Sequence, residues 1–194
     1  MNKILNLDQL KSKVDQIKKA KKTIVHCHGV FDLLHIGHVK HFESAKKLGD
    51  YLIITLTSDK YVNKGPSRPI FNQELRSEFI SSLSCVDAVC ISDSQTSEKV
   101  IKIIKPNLYF KGPDYKVNKN DKTKNIYKEI NLVKKFKGKI KYSKDEVFSS
   151  SQLINKHFSI SQSEQKLFGQ KLSKKFPIEF IESSIEKFKN SFSW

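Results

Sequence analysis

His35 and His38 bracket Gly37 in the run GVFDLLHIGHVK, a spacing suited to phosphate chemistry. A glycine lets the backbone come close to phosphate oxygens. A helix beginning at His38 would turn its free N–H groups on an anion. Both imidazoles could then donate hydrogen bonds to the α- and β-phosphates of a nucleoside triphosphate. When an acceptor phosphate attacks the α-phosphorus, negative charge builds on those oxygens. Donors placed in advance stabilise that charge, and the protein need supply no nucleophile of its own.

Such a loop has to be held by regular elements, and the hydrophobic pattern supplies them. Leu7, Leu10, Val14 and Ile17 recur at helical spacing within residues 3–20. TIVHC, residues 23–27, reads as a first strand, followed by a loop from His28 to His38. A helix is expected over 38–48, with Gly49 to stop it. YLIITLT, residues 51–57, is apolar almost throughout, as a strand buried on both faces should be. Further helices are expected over 73–83, 97–104 and 125–136, with strands over 88–91, 108–111 and 139–142; a last helix is expected to start at 149. Strands alternating with helices of this length make βαβ units, so the fold class is α/β with a doubly wound parallel sheet. Ligands in such sheets bind beyond the carboxyl ends of the strands, where the His35–His38 loop falls. From Ser159 the chain turns polar and then shows two short amphipathic patterns around Pro177. The expected division is a domain over 1–158 and a helical C-terminal extension or linker over 159–194.

Composition narrows the class of function. The formal net charge is +16, which raises nucleic-acid binding as a reading. Yet Arg68 and Arg76 are the sole arginines, and the other basic residues are lysines spread over the chain. Base and phosphate readers favour the planar arginine fork, so the lysines read as a solvated surface and no nucleic-acid partner is expected. Cys27, Cys85 and Cys90 form no CxxC pair and leave an odd count, which points to a reducing, cytoplasmic setting. No apolar run approaches the ~20 residues that span a bilayer, so no membrane association is expected. The five histidines at 26, 28, 35, 38 and 41 do not follow compact zinc-ligand spacing, and no metal-ligating residue is expected.

The segment GVFDLLHIGHVKHFESAKKLGD resembles the first motif of the cytidylyltransferase-like family. That family includes the glycerol-3-phosphate and phosphocholine cytidylyltransferases and the adenylyltransferase that makes ADP-heptose. Other segments agree. Thr57-Ser58-Asp59 matches the polar strand end. Lys64-Gly65 with Arg68-Pro69 resembles the KG-x-x-RP stretch of the heptose-phosphate adenylyltransferases. Gln73-Glu74-Leu75-Arg76 matches the helix start whose arginine, in the family, faces the nucleotide phosphates. Lys111-Gly112-Pro113-Asp114-Tyr115 resembles KGGDY at the base-binding end, and Phe148-Ser149-Ser150-Ser151 resembles the ISTT-type helix start. The resemblance runs over roughly residues 20–157, and it implies a Rossmann-like nucleotidyltransferase fold.

Carried over position by position, the resemblance implies catalytic roles for His35, His38, Lys64 and Arg76. It implies nucleotide contacts from Gly29, Val30, Phe31, Gly37, Lys111, Gly112, Asp114, Phe148, Ser149, Ser150 and Ser151. Substrate contacts fall to His28, Asp32, Asp59 and Arg68, with Asp32 equally able to cap its own turn. The implied reaction moves AMP or CMP from ATP or CTP to a phosphorylated small molecule, a sugar phosphate above all, and releases pyrophosphate. Mg2+ would travel with the nucleotide. A homodimer and a fused or paired kinase domain are implied in the same way. Pro113 stands where the family has a second glycine, and Val147 where it has a glycine before the hydroxyl residues. Those departures keep two alternatives open: a glycerol-3-phosphate-type cytidylyltransferase, and a nucleotide-binding or regulatory domain without turnover.

Overall fold

The apolar runs become a five-stranded parallel sheet in the order β3-β2-β1-β4-β5. The computed structural model describes residues 3–63, 68–113 and 125–143. Along the chain these hold α1 (Leu7–Lys19), β1 (Ile24–Gly29), α2 (Ile36–Lys46), β2 (Tyr51–Thr57), a 3-10 turn (Asp59–Tyr61) and α3 (Gln73–Ser82). β3 (Ala88–Ser92), α4 (Glu98–Ile104), β4 (Leu108–Lys111), α5 (Asn125–Lys135) and β5 (Lys139–Tyr142) follow. The α/β fold with a parallel sheet is as the alternation of patterns requires. The helix expected from 149 and the extension 159–194 lie outside the described residues.

Side chains alternate across a strand, so each strand feeds two cores. Val25, Cys27, Leu52, Ile54, Leu56, Val89 and Phe110 pack with Phe42 and Ala45 of α2 and Ile80 of α3. On the opposite face Ile24, Ile53, Ala88 and Cys90 pack with Leu10, Val14 and Ile17 of α1 and with Val100 and Ile104 of α4. The predicted stripe of α1 is therefore its buried side. Asn6 caps this helix, accepting from the Gln9 N–H while Gln9 Oε1 accepts from the Asn6 N–H, both at 2.9 Å. Ahead of the cap, Leu5 N–H donates to Val89 O, and Val89 N–H to Lys3 O, both at 2.8 Å. These bonds cover the outer edge of β3, a role its sequence does not announce.

The face shared with α1 and α4 changes character toward the carboxyl ends of the strands. Its first row is Tyr51 and Ile24, and the next runs Ala88, Ile53, His26 and Tyr109 in register. Then come Cys90, Thr55 and His28, and finally Ser92 and Thr57. The apolar core thus gives way to buried polar groups where ligands of doubly wound sheets bind. The strand order reverses between β1 and β4.

Most element ends shift by a residue or two, and two of the shifts bear on the site. β1 runs on to Gly29, because His28 pairs with Thr55 across the ladder, so His28 is a strand residue and not the start of the loop. α2 starts at Ile36 because His35 itself caps it, which puts His38 in the first turn.

Candidate active site

The turn between β1 and α2 is built from strained backbone and buried anchors. Phe31 and Leu33 both have positive φ, 52° and 49°. Bulky residues rarely adopt that region, and they hold it only when their surroundings over-determine it. The Phe31 ring folds back over Gly29, where an added Cβ would stand 3.0 Å from Phe31 Cζ. It also meets the Phe42 ring edge-on at 5.1 Å and the His38 ring at 5.8 Å. A side chain at Gly29 would crowd the Phe31 ring under the turn.

Asp32 is the turn's main polar anchor. Its carboxylate is buried and accepts N–H bonds from Ile70 (3.0 Å) and Phe71 (3.2 Å) and from Arg68 Nε (2.7 Å). Burial alone would raise its pKa, but these donors and the Arg68 charge outweigh it and hold the carboxyl below its ordinary value. Arg68 Nη2 is buried and has no hydrogen-bond partner among the described residues.

Arg76 ties three loops together. It is 1% exposed on α3. Nε donates to Phe71 O (3.0 Å), Nη1 to Val30 O, and Nη2 to Thr57 O (2.9 Å) and Asp59 Oδ1 (2.6 Å). Asp59 is engaged further, since its Oδ2 accepts from Gln73 N–H (3.0 Å) while Gln73 Oε1 accepts from Asp59 N–H (3.1 Å). The phosphate-facing arginine implied by the resemblance therefore spends its fork on protein acceptors, and it positions the loops after β1 and β2. Asp32 and Asp59, expected at substrate, likewise have both carboxylate oxygens engaged by protein donors. The reason is geometric. A planar fork satisfies several carbonyls at once, and three loops converge on its position.

The two histidines of the turn fix one another. Gly37 N–H donates to His35 Nδ1 at 3.1 Å, and His35 N–H donates to His38 Nδ1 at 3.3 Å. An acceptor nitrogen carries no proton, so the network assigns the N–H of each ring to Nε2. The rings lie 4.0 Å apart at 39°. Burial holds His35 below its ordinary pKa, which favours its neutral form. The arrangement is a pair of oriented N–H donors at a helix start, where the dipole favours anions.

A second polar group lies on the other face of the sheet. Thr55 Oγ1 is 2.8 Å from both His26 Nε2 and His28 Nδ1. Burial is the first cause that lowers both histidines' pKa values, His28 to about 4, with Lys111 adding to it. Lys111 Nζ pairs with Glu129 Oε2 at 3.1 Å, both side chains being buried. Glu129 also accepts from Tyr109 Oη (2.9 Å) and from Ser97 N–H (3.3 Å). Burial would raise the Glu129 pKa, but Lys111 and the bond from Ser97 bring it below its usual value. Lys111, expected at the nucleotide, is thus held in place by α5.

Among the expected residues, Val30, Phe31, Asp32, His35, His38, Asp59, Arg68 and Arg76 converge on one turn. His28 and Lys111 belong to the second group, and Gly112 directly follows β4. Lys64, Asp114, Phe148, Ser149, Ser150 and Ser151 lie outside the described residues. Of His26, Thr55, Thr57, Tyr109, Ser97 and Glu129, the sequence marked only His26, within the histidine cluster, and Thr57, within the polar strand end, and neither for this group. A usable signal existed for the first three: polar residues two apart at the ends of apolar strands share a face. Nothing local marks Glu129.

A cytidylyltransferase-like family model matches residues 26–157. The chain belongs to this family. It is similar to bifunctional protein HldE from Aliarcobacter butzleri, with 40% identity over 138 residues, 70% of this chain and 29% of that protein. The HldE of Helicobacter pylori is 38% identical over 156 residues, 79% of this chain and 31% of its own. The chain therefore spans under a third of the length of these curated relatives. Among solved structures, the lipopolysaccharide core biosynthesis protein from Thermoplasma volcanium GSS1 is 25% identical with a TM-score of 0.52, covering 66% of this chain and 99% of that one. The pantoate-β-alanine ligase of Francisella tularensis shares the fold, at 19% identity and a TM-score of 0.54 over 76% of this chain and 68% of its own. The match to the family begins at His26, inside β1, and takes in the whole turn from Gly29 to His38.

Proposed function

We propose that this chain is a nucleotidyltransferase that moves AMP from ATP to a sugar phosphate of the heptose 1-phosphate kind. The observation that carries this reading is the His35–His38 pair, held as two Nε2–H donors at the start of α2. An acceptor phosphate oxygen attacks the α-phosphorus and forms the new P–O bond. The bond from that phosphorus to the β-bridging oxygen breaks, and pyrophosphate leaves. The two donors stabilise the charge that develops, and the strained, anchored turn holds them in place beforehand. ATP is favoured over CTP by the likeness to the HldE proteins and by the KG-x-x-RP and KGPDY segments.

Among the described residues no group of three or more His, Cys, Asp or Glu could hold a metal ion. Asp32 and Asp59 are engaged by arginines and N–H groups. This donor set does not form a cage for Mg2+, which would enter on the triphosphate oxygens with its own waters. A dimer and a kinase domain in the same or a partner chain belong to the proposal on the strength of the resemblance, and a cytoplasmic setting on the odd count of cysteines without a CxxC pair.

The test is to incubate the chain with each nucleoside triphosphate against a panel of sugar and polyol phosphates and measure pyrophosphate. Release should be greatest with ATP and a heptose 1-phosphate. Release no higher than that of a folded His38→Ala variant, with every pair, would overturn the reading.

A further inference from the structure

Thr55 Oγ1 stands 2.8 Å from two histidine nitrogens, yet a hydroxyl has one hydrogen. That hydrogen can serve only one ring, and among the described residues the hydroxyl has no other acceptor, so it donates to one ring and accepts from the other. His26 decides the order. It is fully buried, and among the described residues its Nδ1 has no hydrogen-bond partner. If Thr55 donated to His26 Nε2, the ring's proton would sit on Nδ1 as a buried, unmatched N–H. Such orphan donors are rare and cost a full desolvation penalty. The other order leaves only a lone pair there. His26 Nε2–H therefore donates to Thr55, and the Thr55 hydroxyl donates to His28 Nδ1. The proton of a neutral His28 is then on Nε2.

His28 differs from its two supports. His26 and Thr55 are fully buried, whereas His28 is partly exposed near the carboxyl end of β1, beside the reversal of strand order. Its Nε2 reaches Thr57 Oγ1 at 3.4 Å, at the long limit of a hydrogen bond. In register with Thr57, the buried Ser92 hydroxyl has no hydrogen-bond partner among the described residues. Weakly used polar groups thus collect at the end of the sheet where ligands enter.

We propose that the His26–Thr55 pair acts as a positioning relay, holding His28 as an uncharged Nε2–H donor that reads a neutral oxygen, a ring hydroxyl, of the acceptor. An uncharged donor matches a hydroxyl, while the charged phosphates are left to the start of α2. The choice of a hydroxyl-bearing acceptor rests on the proposed transfer to a sugar phosphate; the tautomer does not.

The two parts are tested separately. Nitrogen-detected NMR of the full chain with labelled histidine reads the tautomer without any turnover. His28 should show its proton on Nε2 in the wild type. Thr55→Val should give a mixed population, and Thr55→Ser should restore the wild-type pattern. A proton on Nδ1 in the wild type would overturn the relay. Adding heptose 1-phosphate should move the His28 Nε2 resonance more than adding glycerol 3-phosphate, which offers fewer hydroxyls. Equal shifts, or none, would overturn the reading role. In steady-state kinetics Thr55→Val should raise KM for the acceptor about tenfold, with KM for ATP unchanged and Thr55→Ser close to wild type. An equal rise for both substrates would mark a structural role only and sink the proposal. Absence of pyrophosphate release with every substrate pair, with the tautomer as stated, would count against the enzymatic reading and leave the relay standing.

Discussion

Arg68 and Asp32, 36 positions apart in the chain, meet in a 2.7 Å ion pair whose carboxylate is wholly buried. The pair fastens the segment before α3 to the strained turn that carries His35 and His38. Its strength comes from the donors gathered round Asp32, which also include the N–H groups of Ile70 and Phe71. Asp32→Asn keeps the shape and removes the charge, leaving Arg68 buried and unpaired. A loss of about 3 kcal/mol in folding stability is expected, the usual scale for breaking a buried pair. Urea unfolding followed by circular dichroism measures it. An unchanged midpoint would show that the pair does not hold the turn.

Arg76→Lys separates positioning from direct phosphate contact. One ammonium cannot span Phe71 O, Val30 O, Thr57 O and Asp59, so about 2 kcal/mol of stability should be lost. Affinity for ATP, measured by calorimetry on the folded protein, should stay within about threefold of wild type, less than the 1.4 kcal/mol of a tenfold change. Much weaker binding at an unchanged unfolding midpoint would instead mean that the guanidinium reaches the nucleotide.

His35 has two jobs that a single substitution can split. Asparagine is a good helix cap, so His35→Asn should unfold within about 0.5 kcal/mol of wild type. It cannot place a donor where the imidazole Nε2 stands, and kcat should fall roughly 100- to 1000-fold, as when one oxyanion donor is removed. Wild-type turnover in this variant would remove His35 from the chemistry.

Stability should depend on pH through the buried histidines. The His28 pKa is held at about 4 against an ordinary 6.5, first by burial and then by Lys111. Between those values the unfolded chain takes up a proton that the folded chain refuses. The contribution is therefore complete above pH 6.5 and is lost progressively as pH falls toward 4. His26 shifts in the same direction. Asp32 and Glu129 lie below their ordinary values of 3.8 and 4.5, so their contributions fade only in more acid solution. Urea midpoints between about pH 5 and 7 should fall with acid, and less steeply in His28→Asn, which lacks one of the groups. Identical slopes in the two proteins would contradict the buried, neutral state.

What could be read without coordinates was whatever depends on neighbours in sequence. The near-continuous apolar run that makes YLIITLT a strand, the stripe of Leu10, Val14 and Ile17, and the spacing of His35, Gly37 and His38 are local patterns. They specify an α/β chain and single out the turn after its first strand as the place suited to phosphate chemistry. Tertiary structure decided what each polar residue does there. Arg76 was legible as an important residue, but its four acceptors come from three loops, and only folding brings Val30, Thr57 and Asp59 around it. Asp32 had an even choice between capping its own turn and facing substrate, and the donors that reach it come from residues 68–71, which only folding brings near. The rows His26–Tyr109 and His28–Thr55 exist because register sets which strands face each other, and register is a property of the assembled sheet. Glu129 shows the limit most clearly. On its helix it is one more charged residue, and its meaning comes from Lys111 and Tyr109, which the parallel crossover sets beside it.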